Sequence, residues 1–236
     1  MHWPPPPQTE SIRDFSQKTN CKGNITMARR KSKLTFKPYK PLELLKGDDQ
    51  LRFQGDITFD IETAPQSADH EEGALLHPET ARVAAIGYYE PALLRTVIAT
   101  DDDEQALLRQ FWDAFRLMNA AGFKMVGFNC CGFDLPFLVR RSWGCGVSVP
   151  RNIMSLGGRY WCDTFIDLMV VWKCGAYREF IALDALARFL KVGQKNGKGD
   201  LFYRMWETDR QAALDYLSND VQITFSCARK MGLISH

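Results

Sequence analysis

No stretch of this 236-residue sequence approaches the ~18 to 20 consecutive apolar residues that a membrane-spanning helix requires, so no membrane role is expected. The N-terminus, MHWPPPPQTE, has no apolar core of the kind a signal peptide carries. Export is therefore not expected, and the chain reads as an intracellular protein, cytoplasmic by default. The seven cysteines (Cys21, Cys130, Cys131, Cys145, Cys162, Cys174 and Cys227) make an odd number and form no CxxC pair, and none has a histidine at zinc-ligand spacing. A disulfide framework and a zinc module are thus disfavoured, and the adjacent Cys130 and Cys131 read as small residues of a strand-to-helix turn. Histidine is scarce, and no internal repeat is visible.

Net charge is also nearly absent, at +2, but it is unevenly spread. Residues 1–55 hold 11 Lys/Arg against 5 Asp/Glu, whereas residues 56–236 hold 19 against 23. An acidic body is a poor passive binder of polyanions, so affinity for phosphates has to come from local patches, from the basic segment or from bound cations. Residues 1–50, with the tetraproline Pro4 to Pro7 and the run ARRKSKLTFKPYKP, show no amphipathic period and read as a flexible, partly basic extension. The remaining 51–236, in a chain that is 45% hydrophobic, is enough for one core and one domain.

From Gly55 onward the pattern alternates between strand and helix. Strands are expected at 56–62 (DITFDIE), 81–90 and 93–100, the last two joined by a turn at Glu90-Pro91. An acidic start at Asp101 to Glu104 opens a helix with Leu107, Phe111, Phe115 and Met118 on one side, closed by Gly122. Then come a strand at 124–128, a helix entered through Pro136, a strand near 159–165 and a helix over Leu183 to Leu190 stopped by Gly193. The last helix begins at a T-x-x-Q capping box, Thr208 with Gln211, and runs to Gly232. Three antiparallel strands followed by crossover helices and parallel strands make a mixed α/β sheet flanked by helices, the order of a ribonuclease H-like fold.

Three acidic motifs lie on this frame. In the first strand, the two-residue period puts Ile57, Phe59 and Ile61 on one face and Thr58, Asp60 and Glu62 on the other, so two carboxylates point the same way. Paired carboxylates suit a divalent cation, which takes oxygen ligands, although D-x-E alone equally fits an edge strand with a solvated polar face. In VGFNCCGFDLPFL (126–138), Asp134 stands where a strand passes to a helix, accompanied by Asn129 and Phe133. Its bland role is a helix N-cap. An amide and an aromatic ring beside an acid also suit a nucleotide, one by hydrogen bonding and the other by stacking. On the last helix, Tyr216 and Asp220 are four residues apart and share a face. Asp163 and Asp167 lie between the second and third motifs; at least one of them is expected to cap a helix, and Asp167 is also a candidate to lie near a bound ion.

Occurring in this order, D-x-E, N-x-x-x-F-D and Y-x-x-x-D resemble the DEDDy 3′→5′ exonucleases over about residues 55–230, and the 126–138 segment is similar to the proofreading exonuclease domain of family B DNA polymerases. The resemblance implies a two-metal site using Mg²⁺ or Mn²⁺. In it Asp60 touches both ions, Glu62 and Asp220 complete the first ion's shell, Asp134 serves the second, and Tyr216 orients the attacking water. It also implies that Asn129 and Phe133 hold the 3′ end of a single-stranded nucleic acid, DNA in preference to RNA, with hydrolysis to nucleoside 5′-monophosphates. The alternatives are an RNA-directed exonuclease of the RNase D kind and a non-catalytic nucleic-acid-binding or polymerase accessory module. None of the four histidines (His2, His70, His77 and His236) neighbours Asp220, so the attacking water is expected to be activated by metal, with activity rising above neutral pH.

Overall fold

Alternation along residues 57–62 decides how the molecule is layered. In the computed structural model, which describes residues 42–67, 74–153, 161–194 and 202–234, Ile57–Pro65 forms strand β2. Ile57, Phe59 and Ile61 are buried in one apolar core, while Thr58, Asp60 and Glu62 face the other side of the sheet. The other strands are β1 (Glu43–Leu45), β3 (Ala81–Glu90), β4 (Arg95–Thr100), β5 (Met125–Gly127) and β6 (Phe165–Asp167), in the order β1-β4-β3-β2-β5-β6. β2, β3 and β4 form an antiparallel meander, β5 and β6 run parallel to β2, and β1 runs parallel to β4. The mixed sheet with helices on both faces is ribonuclease H-like, as the sequence pattern predicts.

One face is covered by helices α1 (Glu104–Ala121) and α2 (Asp134–Gly144), whose Leu107, Phe111, Trp112, Phe115, Leu135 and Leu138 are fully buried. Asp103 caps α1 by accepting the Gln105 N–H at 2.9 Å, and Gly122, at φ 75°, ends it. The opposite face carries α3 (Leu168–Trp172), α4 (Leu183–Leu190), α5 (Phe202–Thr208) and α6 (Arg210–Lys230), packed through Leu168, Leu186, Phe202, Ala213, Leu217 and Val221. None of the helices in the described residues is long and apolar enough to cross a membrane.

Four details differ from the sequence reading. Residues 43–45 pair with β4, so the last part of the segment read as a flexible extension belongs to the sheet; a three-residue edge strand is too short to show a period. Residues 1–41 lie outside the described residues. The T-x-x-Q capping box does not form, because Thr208 ends α5 with its hydroxyl on the Arg204 carbonyl, and Asp209 caps α6 by accepting the Ala212 N–H at 3.1 Å. α4 stops at Lys191, which takes the left-handed conformation at φ 58°, two residues before Gly193. The strand expected near 159–165 is β6 at Phe165–Asp167, with residues 154–160 outside the described ones.

Candidate active site

β2 delivers its polar face directly beneath α6. Thr58 Oγ1 donates to the Val221 carbonyl at 2.6 Å, anchoring the helix next to Asp220. On β3, Gly87 is the register partner of Asp60, and a Cβ there would stand 2.7 Å from Leu217 Cγ and 2.9 Å from its Cδ1. The missing side chain is what lets α6 lie this close to the strands. As a result Asp60, Glu62 and Asp220 each place a carboxylate oxygen within 4.8 Å of the other two. Glu62 and Asp220 are buried, and Asp60 is half-buried.

Asp134 arrives from the other side. β5 pairs with β2 only at Ile57 and Thr58, so further along β2 that edge has no strand partner. Asp134 Oδ1 accepts the Ile61 N–H there at 3.1 Å, which puts its carboxyl between the two acids of β2. It is the first residue of α2 and not its N-cap, a position taken by Phe133. Burial pushes the Asp134 carboxyl up to about 7, and the charge of Asp167 adds to the rise, while bonds from the Ile61 and its own N–H and to Asp60 pull the other way. Asp60 therefore meets both Asp134 and the Glu62–Asp220 pair.

Tyr216 is buried on α6 with its ring 6.4 Å from that of Phe202. Burial, followed by the facing charges of Asp220, Glu62 and Asp60, raises its phenol above the ordinary tyrosine range. These surroundings favour the neutral phenol, a hydrogen-bonding group.

Asn129 and Phe133 lie on the turn between β5 and α2. Asn129 is left-handed at φ 58°, and its carbonyl accepts the Gly132 and Phe133 N–H groups, both at 3.0 Å. A Cβ on Gly132 would come within 2.6 Å of Asn129 Oδ1, so the amide lies over this glycine. Phe133 is half-buried, with its ring 5.6 Å from that of Phe137.

Sequence reasoning did not see what holds this turn. Asp167, buried at the end of β6, accepts the Asn129 N–H at 2.8 Å, the Cys131 N–H at 2.9 Å and the Met169 N–H at 2.8 Å. The last bond makes it the N-cap of α3, as expected of one of the two intervening acids, but the first two make it the brace of the Asn129 turn. Asp163 is exposed and outside the group. A cavity of about 520 Å³ between the 47–51 segment and α1 shares no lining residue with the acids.

The ribonuclease H-like sheet thus brings carboxylates from β2, α2 and α6 together. The chain belongs to the family described as "Predicted 3'-5' exonuclease related to the exonuclease domain of PolB", whose model matches residues 79–235. Asn129, Phe133, Asp134, Tyr216 and Asp220 fall inside the matched segment, and Asp60 and Glu62 join them through the geometry. The fold is similar to that of the family B DNA polymerase from the hyperthermophilic archaeon Pyrobaculum calidifontis, with a TM-score of 0.57 at 21% identity. That likeness covers 74% of this chain and only 24% of the polymerase. A search of curated proteins returned no match.

The close approach at Gly87 yields a direct test. Gly87→Ala is expected to push α6 off the sheet and carry Tyr216 and Asp220 away from Asp60, at about 1–3 kcal/mol of stability. Thermal melting should fall by several degrees, and calorimetric titration with Mn²⁺ should show weaker binding than in the wild type although no acid has been touched. Unchanged Mn²⁺ affinity would mean that the helix position does not set the site.

Proposed function

We propose that the chain is a two-metal-ion 3′→5′ exonuclease of the DEDDy type, acting on single-stranded nucleic acid, DNA in preference to RNA, and releasing nucleoside 5′-monophosphates. The observation that carries this reading is the convergence of Asp60, Glu62 and Asp220 within 4.8 Å, with the buried Asp134 bonded alongside them. Like charges brought together out of water repel one another, and an all-oxygen set of carboxylates fits a hard divalent cation such as Mg²⁺ or Mn²⁺. Asp60, Glu62 and Asp220 would hold one ion, and Asp60 with Asp134 the other. Ions bound there lower the pKa of an attacking water and offset the charge on the leaving 3′-oxygen.

The chain's own residues supply the positioning. Tyr216, kept protonated by its surroundings, orients the water and does not act as the base. Asn129, fixed by Asp167, offers its amide to the terminal nucleotide, and Phe133 offers a ring for stacking on its base. The test is degradation of 5′-labelled single-stranded DNA, RNA and duplex with Mg²⁺ or Mn²⁺. A ladder shortening from the 3′ end supports the reading, whereas cleavage of a closed circular substrate would indicate an endonuclease and overturn it.

Asp134 also predicts a pH dependence for the metal-free protein. Its carboxyl is held to about 7 in the fold, against 3.8 as the ordinary value. The folded state therefore binds a proton that the unfolded chain has already released between these limits. The associated stability is complete below pH ~4 and is lost as pH rises to ~7, so in EDTA the melting temperature should fall across this window. Millimolar Mg²⁺ or Mn²⁺ at pH 8 should restore it, since a ligand bound only by the native state stabilises it. A flat profile in EDTA, or a cation effect that is the same at pH 4 and pH 8, would contradict the clustering.

A further inference from the structure

We propose that the surface formed by α3, the following turn and α4 is a stacking platform for single-stranded nucleic acid, engaging bases upstream of the nucleotide held at the acidic cluster. The proposal rests on the exonuclease reading for which end of the strand is held; the platform itself rests on exposure, charge and topology.

Large apolar side chains are concentrated there in an exposed state. Tyr177 is 88% exposed, Phe180 71%, Phe189 67% and Val170 56%, and among the described residues Trp143 is the one other aromatic ring so exposed. Rings left in water in a group, and not scattered singly, mark a surface that something covers. Trp172 of α3 meets Phe189 of α4 edge-on at 5.4 Å, which joins the two helices through their rings. Left-handed backbone at Cys174 (φ 47°), Gly175 (φ 83°) and Arg178 (φ 68°) shapes the turn that presents Tyr177. For the two residues that carry a Cβ this conformation is unfavourable, and such conformations concentrate at ligand-binding turns.

Cations are interleaved with the rings. Lys173 Nζ lies 4.3 Å from the centre of the Phe180 ring, and Arg178 Cζ lies 5.4 Å from that of Tyr177. Arg188 is paired with Asp184 at 2.8 Å, and Lys191 ends α4. The stretch is locally positive on a body that is otherwise acidic. Rings alone would suit many partners, but rings alternating with cations match a strand that alternates bases with phosphates, since every base has a face to stack and every linkage a charge to offset.

Topology places the platform beside the site. β2, β5 and β6 run parallel, and β5 pairs Val126 with Thr58 before it ends, so the Asn129 turn leaves the sheet beside the segment of β2 that carries Asp60 and Glu62. β6 is the outermost of the three, and α3 starts immediately after Asp167, the residue that braces Asn129. A strand leaving the Asn129 turn toward this side of the sheet passes over α3.

The test compares the wild type with Tyr177→Ala/Phe180→Ala/Phe189→Ala, whose changes are all at exposed positions. Binding of fluorescein-labelled dT20 and dT4 is measured by anisotropy in EDTA, and hydrolysis of dT3 and dT20 is measured with Mn²⁺. The expected result is that the wild type binds dT20 at least about tenfold more tightly than dT4, that the triple variant loses this advantage, and that its hydrolysis of dT3 stays within about twofold. The single variant Tyr177→Trp, which keeps a stacking ring, is expected to bind dT20 like the wild type. An unchanged length dependence in the triple variant overturns the platform, as does a wild type without length dependence, or a change in light-scattering mass with no change in dT20 affinity, which would make the face a contact between copies of the chain. If the wild type hydrolyses neither oligonucleotide, the exonuclease reading falls, and the binding arm in EDTA still decides whether the platform exists.

Discussion

Asp60→Asn is expected to lower hydrolysis of single-stranded DNA by at least about a thousandfold, ~4 kcal/mol of transition-state stabilisation, while leaving the metal-free protein as stable as the wild type or more so. The reason is position. Among the described acids, Asp60 both bonds to the Asp134 carboxyl and shares the cluster of Glu62 and Asp220, so it joins the two halves of the site. Neutralising it removes a ligand from each proposed ion at once and also removes one of the charges that repel in the cation-free state. Tyr216→Phe should be milder, about tenfold to a hundredfold, because in the proposed role a neutral phenol contributes alignment and not charge. The measurements are kcat/KM with Mg²⁺ and melting in EDTA. Loss of activity accompanied by an equal loss of metal-free stability would assign Asp60 to the fold and not to the chemistry.

What the sequence makes legible here follows from periodicity. The two-residue alternation of β2 places Asp60 and Glu62 opposite the apolar Ile57, Phe59 and Ile61, and the four-residue interval on α6 aligns Tyr216 with Asp220; both are local, so both can be read directly. The ends of α1 are legible because they too are marked locally, by an acidic cap and a glycine stop. The details that escape are those decided by something distant in sequence. β1 is a strand because β4 offers it an edge, and Thr208 fails as a cap because α5, from the preceding turn, has already taken it. Asp167 reads in sequence as an N-cap or a neighbour of the acidic set, and its grip on Asn129 and Cys131 exists only once β6 lies beside β5. Gly87 carries no sequence signal at all, since its role is defined by Leu217 on a helix 130 residues later.

The largest effect on stability is expected away from the acids of the site. Arg141 of α2 grips Glu104 of α1 with two bonds, from Nε to Oε1 at 2.9 Å and from Nη2 to Oε2, and also donates from Nη1 to the Pro78 carbonyl at 2.7 Å. Glu104 Oε1 additionally accepts the Val83 N–H of β3 at 2.8 Å. The side chains are only 14% and 9% exposed, so screening by water is weak and two-point geometry makes the pair rigid. Arg141→Ala leaves a carboxylate buried without its cation and strips the Pro78 carbonyl of its donor, which should cost about 3–5 kcal/mol and on the order of 10 °C in melting temperature. Adding Glu104→Gln to Arg141→Ala removes the stranded charge and should recover a substantial part of that loss, because the penalty lies in the unpaired ion more than in the missing bond. The pair ties together α1, β3 and the helix that begins with Asp134, so hydrolysis should fall with temperature well before that of the wild type, yet remain close to it at 10 °C, where the variant is still folded. If Arg141→Ala instead cut the rate at 10 °C as sharply as Asp60→Asn while melting near the wild type, Arg141 would belong to the chemistry, and the clamp between α1 and α2 would not be what holds Asp134 in place.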